Sequence, residues 1–234
     1  KEIDLVDYIK DMFKAIIIGS TGATGRHVLN QLLTNDNCEL VTTIGRRSSS
    51  DKVKNKKHRD VIIPSLKDLS STKKYWMDND VFFNCIGTTR KKSGTAKEFV
   101  NIEVGYSNKS AEMANQAGIS HVSLISAGGA NPDAWAKEWI HPLFYIKTIG
   151  QKELTITKNF SFTKTSIFRP GMLLRLQGKK NFFEYLARST GTGLSVDILA
   201  SAMIRDAEKV LEIDKKYSNI FIGNKNIIKS INSN

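Results

Sequence analysis

The apolar run Ala15-Ile16-Ile17-Ile18 passes directly into Gly19-Ser20-Thr21-Gly22-Ala23-Thr24-Gly25, and a helix-like stretch follows. A tight turn needs positive φ, and an anion can approach backbone N–H groups only where no Cβ intervenes. Three glycines at a spacing of three meet both needs. Val28, Leu29, Leu32 and Leu33 share one face of the next segment, which predicts an amphipathic helix. The N-terminus of such a helix presents unpaired N–H groups and partial positive charge. Strand, glycine turn and helix therefore predict a dinucleotide pyrophosphate site at Gly19 to Gly25. The spacing is GxxGxxG rather than GxGxxG, and glycine spacing alone is a weak signal; the flanking strand and helix give it weight. A plain strand-to-helix turn is the competing reading.

Hydrophobic periodicity extends this start into an alternation of elements. Strands are predicted at Lys14 to Ile18, Glu39 to Ile44, Val61 to Ile63, Val81 to Ile86, His121 to Ser126, Thr165 to Phe168 and Ile220 to Ile222. Between them lie a weak helix at Lys67 to Trp76, a long amphipathic segment from Ala96 to Gln116 stopped by Gly118, and helices at Pro142 to Lys158 and Ile198 to Leu211. Ser195 or Asp197 stands where it could cap the last of these. Leu5, Tyr8, Ile9 and Met12 predict a short N-terminal helix over 1–12, residues 45–59 read as a polar loop, and the Asn-rich tail carries no chemical signal. The expectation is a doubly wound parallel α/β sheet, a single domain over 1–234, with 172–234 on the substrate side. The 40% apolar content of 234 residues suffices for its core. In such folds ligands collect at the carboxyl ends of the strands.

Net charge is +12, with a pI near 9.6. The densest basic stretch, from Arg46 through Lys52, Lys54, Lys56, Lys57 and His58 to Arg59, has no interleaved aromatic residues for base stacking. It reads as a solvated loop, and nucleic acid is not an expected partner. No stretch approaches the roughly 20 apolar residues that span a bilayer, so no transmembrane segment is expected. Cys38 and Cys85 lie far apart and form no metal-like cluster; no metal site or disulfide framework is expected, which fits a reducing compartment. The chain begins at Lys1, so an upstream targeting segment stays open, and cytoplasmic localisation is the default expectation.

After the second strand come Gly45, Arg46 and Arg47, where NAD-specific proteins carry an acid for the ribose 2′-hydroxyl. Two guanidinium groups favour a 2′-phosphate instead, and so NADP(H) over NAD(H). Solvated loop arginines are the alternative.

Gly19 to Gly25, Ile44-Gly45-Arg46-Arg47, Cys85-Ile86-Gly87-Thr88-Thr89-Arg90, Leu124-Ile125-Ser126 and Phe168-Arg169-Pro170-Gly171 together resemble the atypical short-chain dehydrogenase/reductases, within them the Tat-interacting-protein oxidoreductase branch. The similarity runs from about residue 12 to 172 and thins beyond Gly171. It implies an NADP(H)-binding Rossmann domain in which Cys85, Ile86, Gly87, Thr88 and Thr89 line the cofactor and Pro170, Gly171 and Met172 close over the nicotinamide. It further implies a Ser, Tyr and Lys set for hydride transfer: Ser126 to polarise a carbonyl, Tyr145 to exchange the proton and sit against the cofactor, and a Lys one helical turn later to hold the ribose and lower the phenol pKa from about 10.

The lysine does not match. Four residues past Tyr145 stands Ile149, while Gly150 and Glu153 keep the pattern around it. Lys147 is two residues from Tyr145 and Lys152 one turn from Thr148, so neither reads as a substitute. Without an adjacent cation, reductase chemistry near neutral pH is expected to be slow or absent. Two main readings follow: an NADPH-dependent reductase of a small carbonyl compound, or an NADP(H)-binding regulatory module acting through protein contacts. A charge-driven nucleic-acid or membrane-surface protein is a weaker third. Ser126 and Tyr145 can equally be a satisfied strand-end hydroxyl and a packed helix tyrosine. Met172, Leu173 and Leu174 open the substrate side, where Phe182, Phe183, Tyr185 and Leu186 supply apolar bulk more suited to packing than to substrate contact.

Overall fold

A computed structural model describes residues 12–49, 55–175 and 192–232. The N-terminal helix expected before Met12, the lysines at 52 and 54, and the aromatic cluster Phe182, Phe183, Tyr185 and Leu186 lie outside the described residues.

The first strand, β1 (Phe13–Ile18), lies in the interior of the sheet, with apolar neighbours on both faces. Ala15 and Ile17 point into one core and Ile16 and Ile18 into the other, as period-two geometry requires. From β1 the chain winds outward on one side through β2 (Cys38–Gly45) to β3 (His58–Ile62), then crosses back to β4 (Val81–Asn84), β5 (His121–Ile125), β6 (Lys164–Arg169) and, at the far edge, β9 (Tyr217–Ile222). All six pairings in this seven-stranded sheet are parallel, in the order β3-β2-β1-β4-β5-β6-β9. A two-residue pair, β7 (Leu173–Leu174) with β8 (Leu194–Ser195), stands apart from it. The strand order reverses between β1 and β4, which places the ligand crevice at the ends of these two strands, where Ile18 is level with Asn84.

Helices cover both faces. On one, α1 (Ala23–Leu33) packs Val28, Leu29 and Leu32 against Leu199 and Met203 of α6 (Val196–Leu211). On the other, α4 (Ser107–Gln116) and α5 (His141–Asn159) bring Ala111, Ala114 and Ile156 to the sheet. The long helix expected from Ala96 to Gln116 is interrupted: α3 (Ala96–Val100) is joined to α4 by a π-helical turn at Asn101–Tyr106. A short α2 (Arg90–Ser93) precedes it, capped by Thr89. The weak helix expected at Lys67 to Trp76 shrinks to a 3₁₀ turn, Ser70–Tyr75, anchored by the buried Trp76, whose indole N–H donates to Thr72 at 2.9 Å. Ser195 occupies the N-cap of α6 but makes no side-chain cap bond. The tail, which showed no signal, forms α7 (Asn224–Asn232), because Ile227 is buried in the α1/α6 core and Ile231 packs on its edge.

A buried polar cluster lies at the opposite end of the sheet from the crevice. His121 Nε2 is 3.0 Å from Ser166 Oγ, and the Tyr217 hydroxyl donates to Asp206 Oδ1 at 3.3 Å. Burial, with Lys164 nearby, pushes His121 down to about 3, and burial pushes Asp206 up to about 6. A raised carboxyl means that the fold holds more protons than the unfolded chain, so Asp206 subtracts stability as pH climbs through about 4 to 6, whereas neutral His121 costs stability as pH falls below about 6.5. Asp206→Asn should therefore stabilise the protein at pH 7.5 by on the order of 1–3 kcal/mol and much less at pH 4.5. Thermal melts of both proteins at the two pH values check this, and a lower melting temperature for the variant at pH 7.5 would refute it.

Candidate functional site

The glycine turn leaves β1 with Gly19 at φ +90°, and a Cβ built there would lie 2.5 Å from the Cys85 carbonyl oxygen and 2.9 Å from the Ile86 nitrogen. A Cβ on Gly25, inside α1, would run into the Gly19 carbonyl. The turn is thus pressed against the end of β4, backbone on backbone, a packing that only hydrogen in place of Cβ permits. Gly22 is the N-cap of α1 and donates to Gly19 O at 2.9 Å, leaving the first amides of α1 without intrahelical acceptors at the crevice. Ser20 and Thr24 are buried in the same turn, and Thr21 and Ala23 are at least partly accessible. This is a cradle that a side chain would fill and a pyrophosphate fits.

One strand over, Arg46 and Arg47 emerge exposed from the end of β2. Asp60 of β3 fixes the loop behind them: its carboxylate accepts from Thr43 Oγ1 at 2.7 Å, Ser48 Oγ at 2.6 Å and the Ser49 amide at 3.0 Å. Both arginines therefore sit on an anchored loop directly after β2, exposed to solvent.

At the end of β4, the Cys85 amide donates to Ile18 O at 2.9 Å, continuing the sheet. Burial pushes the Cys85 thiol up to about 12, so it behaves as a small apolar group. Asn84 is wholly buried, and its amide Nδ2 has no hydrogen-bond partner among the described residues. Beyond Cys85 the segment is held by two residues with no role in the sequence reading. Glu103, on the π-helical turn, accepts the Thr88 amide at 2.6 Å. Lys152 of α5, 1% exposed, donates to Ile86 O at 2.8 Å and meets Glu103 Oε2 at 3.2 Å. Gly87 and Thr89 are left exposed at the crevice. The buried lysine could have been noticed from its spacing: seven residues from Tyr145 is two helical turns and the same side of α5.

The expected Ser and Tyr are both near the crevice but are not linked. Ser126, just past β5, gives its hydroxyl to Glu153 Oε1, and Glu153 in turn receives Arg169 through Nε at 2.8 Å and through Nη2. This buried carboxylate and the guanidinium were missed as a unit, although Arg169 lies in one of the motifs that carried the resemblance and Glu153 in the pattern around Ile149. Tyr145 packs its ring on Phe99, with centroids 5.9 Å apart, and no hydrogen bond joins it to Ser126 among the described residues. Burial, and then the nearby Glu103 charge, push the phenol up to about 12. Ile149 is buried at the position one turn along. The Pro170 carbonyl accepts from the Gly128 amide at 2.7 Å, the Gly171 amide donates to Asn224 Oδ1 at 2.9 Å, and Met172 is exposed at the start of the substrate side.

The chain is similar to several known proteins. The profile of a family described as NAD(P)H-binding matches residues 19–206. Protein HTATIP2 from Rattus norvegicus is 32% identical over 74% of this chain and 67% of its own. Protein FMP52, mitochondrial, from Meyerozyma guilliermondii is 33% identical over 73% of this chain and 70% of its own. The crystal structure of the oxidoreductase ylbE from Lactococcus lactis, 18% identical, superposes with a TM-score of 0.60 over 82% of this chain and 83% of that one, which is a likeness of fold. The expectation of a cytoplasmic protein is overturned: the FMP52 relatives carry mitochondrial in their names, and hydropathy and cysteine usage had left the compartment to default. No helix among the described residues is long and apolar enough to cross a membrane.

Proposed function

The chain belongs to the NAD(P)H-binding family, and we propose that it binds NADP(H), with the pyrophosphate on the Gly19–Gly25 turn and the 2′-phosphate at Arg46 and Arg47. The observation that carries this is the backbone-on-backbone seat of Gly19 against Cys85 and Ile86 at the strand-order reversal, beside two exposed guanidinium groups. Bound there, the cofactor supplies a hydride donor or acceptor. The chain's own residues position it: the α1 amides meet the pyrophosphate, Gly87 to Thr89 line the strand end, and Pro170 to Met172 flank the far side.

The same geometry supports a binding role over efficient carbonyl reduction. General acid work near neutral pH needs a phenol whose pKa approaches the operating pH. Tyr145 is displaced in the opposite direction, Ile149 brings no cation to it, and the Ser126 hydroxyl is engaged by Glu153. The chain is therefore a regulatory module that senses NADP(H) and acts through protein contacts, with a mitochondrial setting by analogy with the FMP52 relatives. Fluorescence titration is expected to give NADPH an affinity at least about tenfold above NADH, lost in Arg46→Ala/Arg47→Ala, since a charge-assisted phosphate contact of this kind contributes about 1.5–3 kcal/mol. Equal affinities for the two cofactors would rule out the 2′-phosphate assignment.

A further inference from the structure

We propose that Lys152 and Glu103 form a positioning pair whose task is to hold the Ile86–Thr88 segment in the shape the cofactor binds; this rests on the NADP(H) reading above.

The pair is built from two separate helical elements and converges on three consecutive residues. Lys152 Nζ holds the Ile86 carbonyl at 2.8 Å, Glu103 Oε1 holds the Thr88 amide at 2.6 Å, and Nζ to Oε2 at 3.2 Å closes the circuit. Both charged residues are 1% exposed. A buried ion pair contributes little net stability, because desolvation cancels most of the attraction, and apolar side chains of similar volume often replace one at no cost. Bulk stability is therefore a poor account of why a lysine and a glutamate are sunk here. Direction is a better one. The pair turns the Ile86 carbonyl and the Thr88 amide inward, which fixes the peptide planes on either side of Gly87 and leaves Gly87 facing the crevice. Those planes begin one residue beyond the carbonyl against which Gly19 is seated, so their orientation sets the wall opposite the pyrophosphate turn. Without the pair, the buried carbonyl and amide would need other partners, and rotation of the peptides is the simplest way to find them.

The π-helical turn at Asn101–Tyr106 contributes directly. One wider turn changes which side chains face the sheet, and π turns of this kind often mark functional sites. It puts Glu103 inward between Thr88 and Lys152. On α5, Lys152 lies two turns from Tyr145, on the side that an acid–base lysine would also use, yet its ammonium is committed to the Ile86 carbonyl and Glu103 and not to the phenol.

The test uses the full chain and NADPH titration at a temperature well below each variant's melting point. Lys152→Met/Glu103→Met replaces the pair with apolar side chains; because the Ile86 carbonyl and Thr88 amide lose their partners it is expected to melt a few degrees below the parent while staying folded at the titration temperature, and to bind NADPH at least about tenfold more weakly, the effect of misplacing backbone groups in a preorganised site. Lys152→Met/Glu103→Gln is the second variant, in which the introduced carboxamide oxygen can still accept the Thr88 amide and guard the fold while the Ile86 carbonyl loses its donor; at least about fivefold weaker binding is expected. A folded variant of either kind that binds NADPH as tightly as the parent overturns the proposal, because a pair with only a structural task would move the melting point and leave affinity alone. A parent chain that binds neither NADPH nor NADH overturns the cofactor reading itself, and the positioning role with it, a result told apart at once from parent binding that survives in the variants.

Discussion

Gly25→Ala is expected to weaken NADPH binding by about a hundredfold or more, equivalent to about 3 kcal/mol, with a loss of melting temperature of a few degrees. The added methyl would run into the Gly19 carbonyl, with the Gly19 carbonyl carbon at 2.9 Å and Cys85 Cβ at 3.1 Å behind it. Backbone atoms cannot rotate away as a flexible side chain could. The turn must lift off the end of β4, and lifting it moves the α1 amides that the pyrophosphate would meet. The sheet core loses little, since Ile16, Ile17 and Ile18 remain packed on both faces. Affinity should therefore fall much further than stability. Gly22→Ala is the graded control: its Cβ would stand 3.0 Å from the same carbonyl, tight but relievable, and about tenfold weakening is expected. Titration and melting of the three proteins check the order. Binding by Gly25→Ala within about threefold of the parent, which is less than 1 kcal/mol, would show that no diphosphate sits on this turn.

The part of this site that was legible in the sequence is the part that a local rule governs. A parallel strand buried on both faces has to be continuously apolar, which is why Ala15 to Ile18 and Val81 to Phe83 could be read as strands and the glycines between β1 and α1 as the tight turn joining strand to helix. Arg46 and Arg47 were legible for the same reason, as residues directly after a strand. Lys152 and Glu103 were not. They are 49 positions apart on different helical elements, they meet only because α5 and the π-helical turn pack over β4, and one more lysine in a chain with net charge +12 gives no local sign of burial. Counting by single turns from Tyr145 also hid Lys152, since the shared face recurs after seven residues as well as after four. Ser126 shows a different gap. Its place at the end of β5 was readable, but its hydroxyl's partner, Glu153 backed by Arg169, is a tertiary fact. The helix over Asn224–Asn232 was overlooked because asparagine content was weighed above the spacing of Ile227, Ile228 and Ile231.

Ile149→Lys is expected to raise NADPH-dependent reduction of a bound carbonyl compound at pH 7 by about ten- to a hundredfold, by bringing the Tyr145 phenol down one to two pK units. In the parent, burial and the Glu103 charge hold the phenol up at about 12, a poor proton donor to a developing alkoxide and a negligible source of phenolate in reverse. An ammonium one turn away favours the ionised form and reverses that displacement. The new lysine enters a buried position, and its desolvation is offset only if it finds the ribose of the cofactor or the Tyr145 oxygen. Lys152 must stay in place: if the cation were simply moved, as in Ile149→Lys/Lys152→Met, the tyrosine would gain its neighbour while the Ile86–Thr88 wall lost its anchor. The single variant should therefore raise turnover with NADPH affinity preserved, and the double variant should lose affinity whatever its turnover. The pH–rate profile supplies the signature, with the alkaline limb moving toward neutrality in Ile149→Lys. An unchanged rate and profile, with a carbonyl compound shown to bind, would mean that Tyr145 faces no substrate oxygen and that the α5 helix serves the cofactor wall alone.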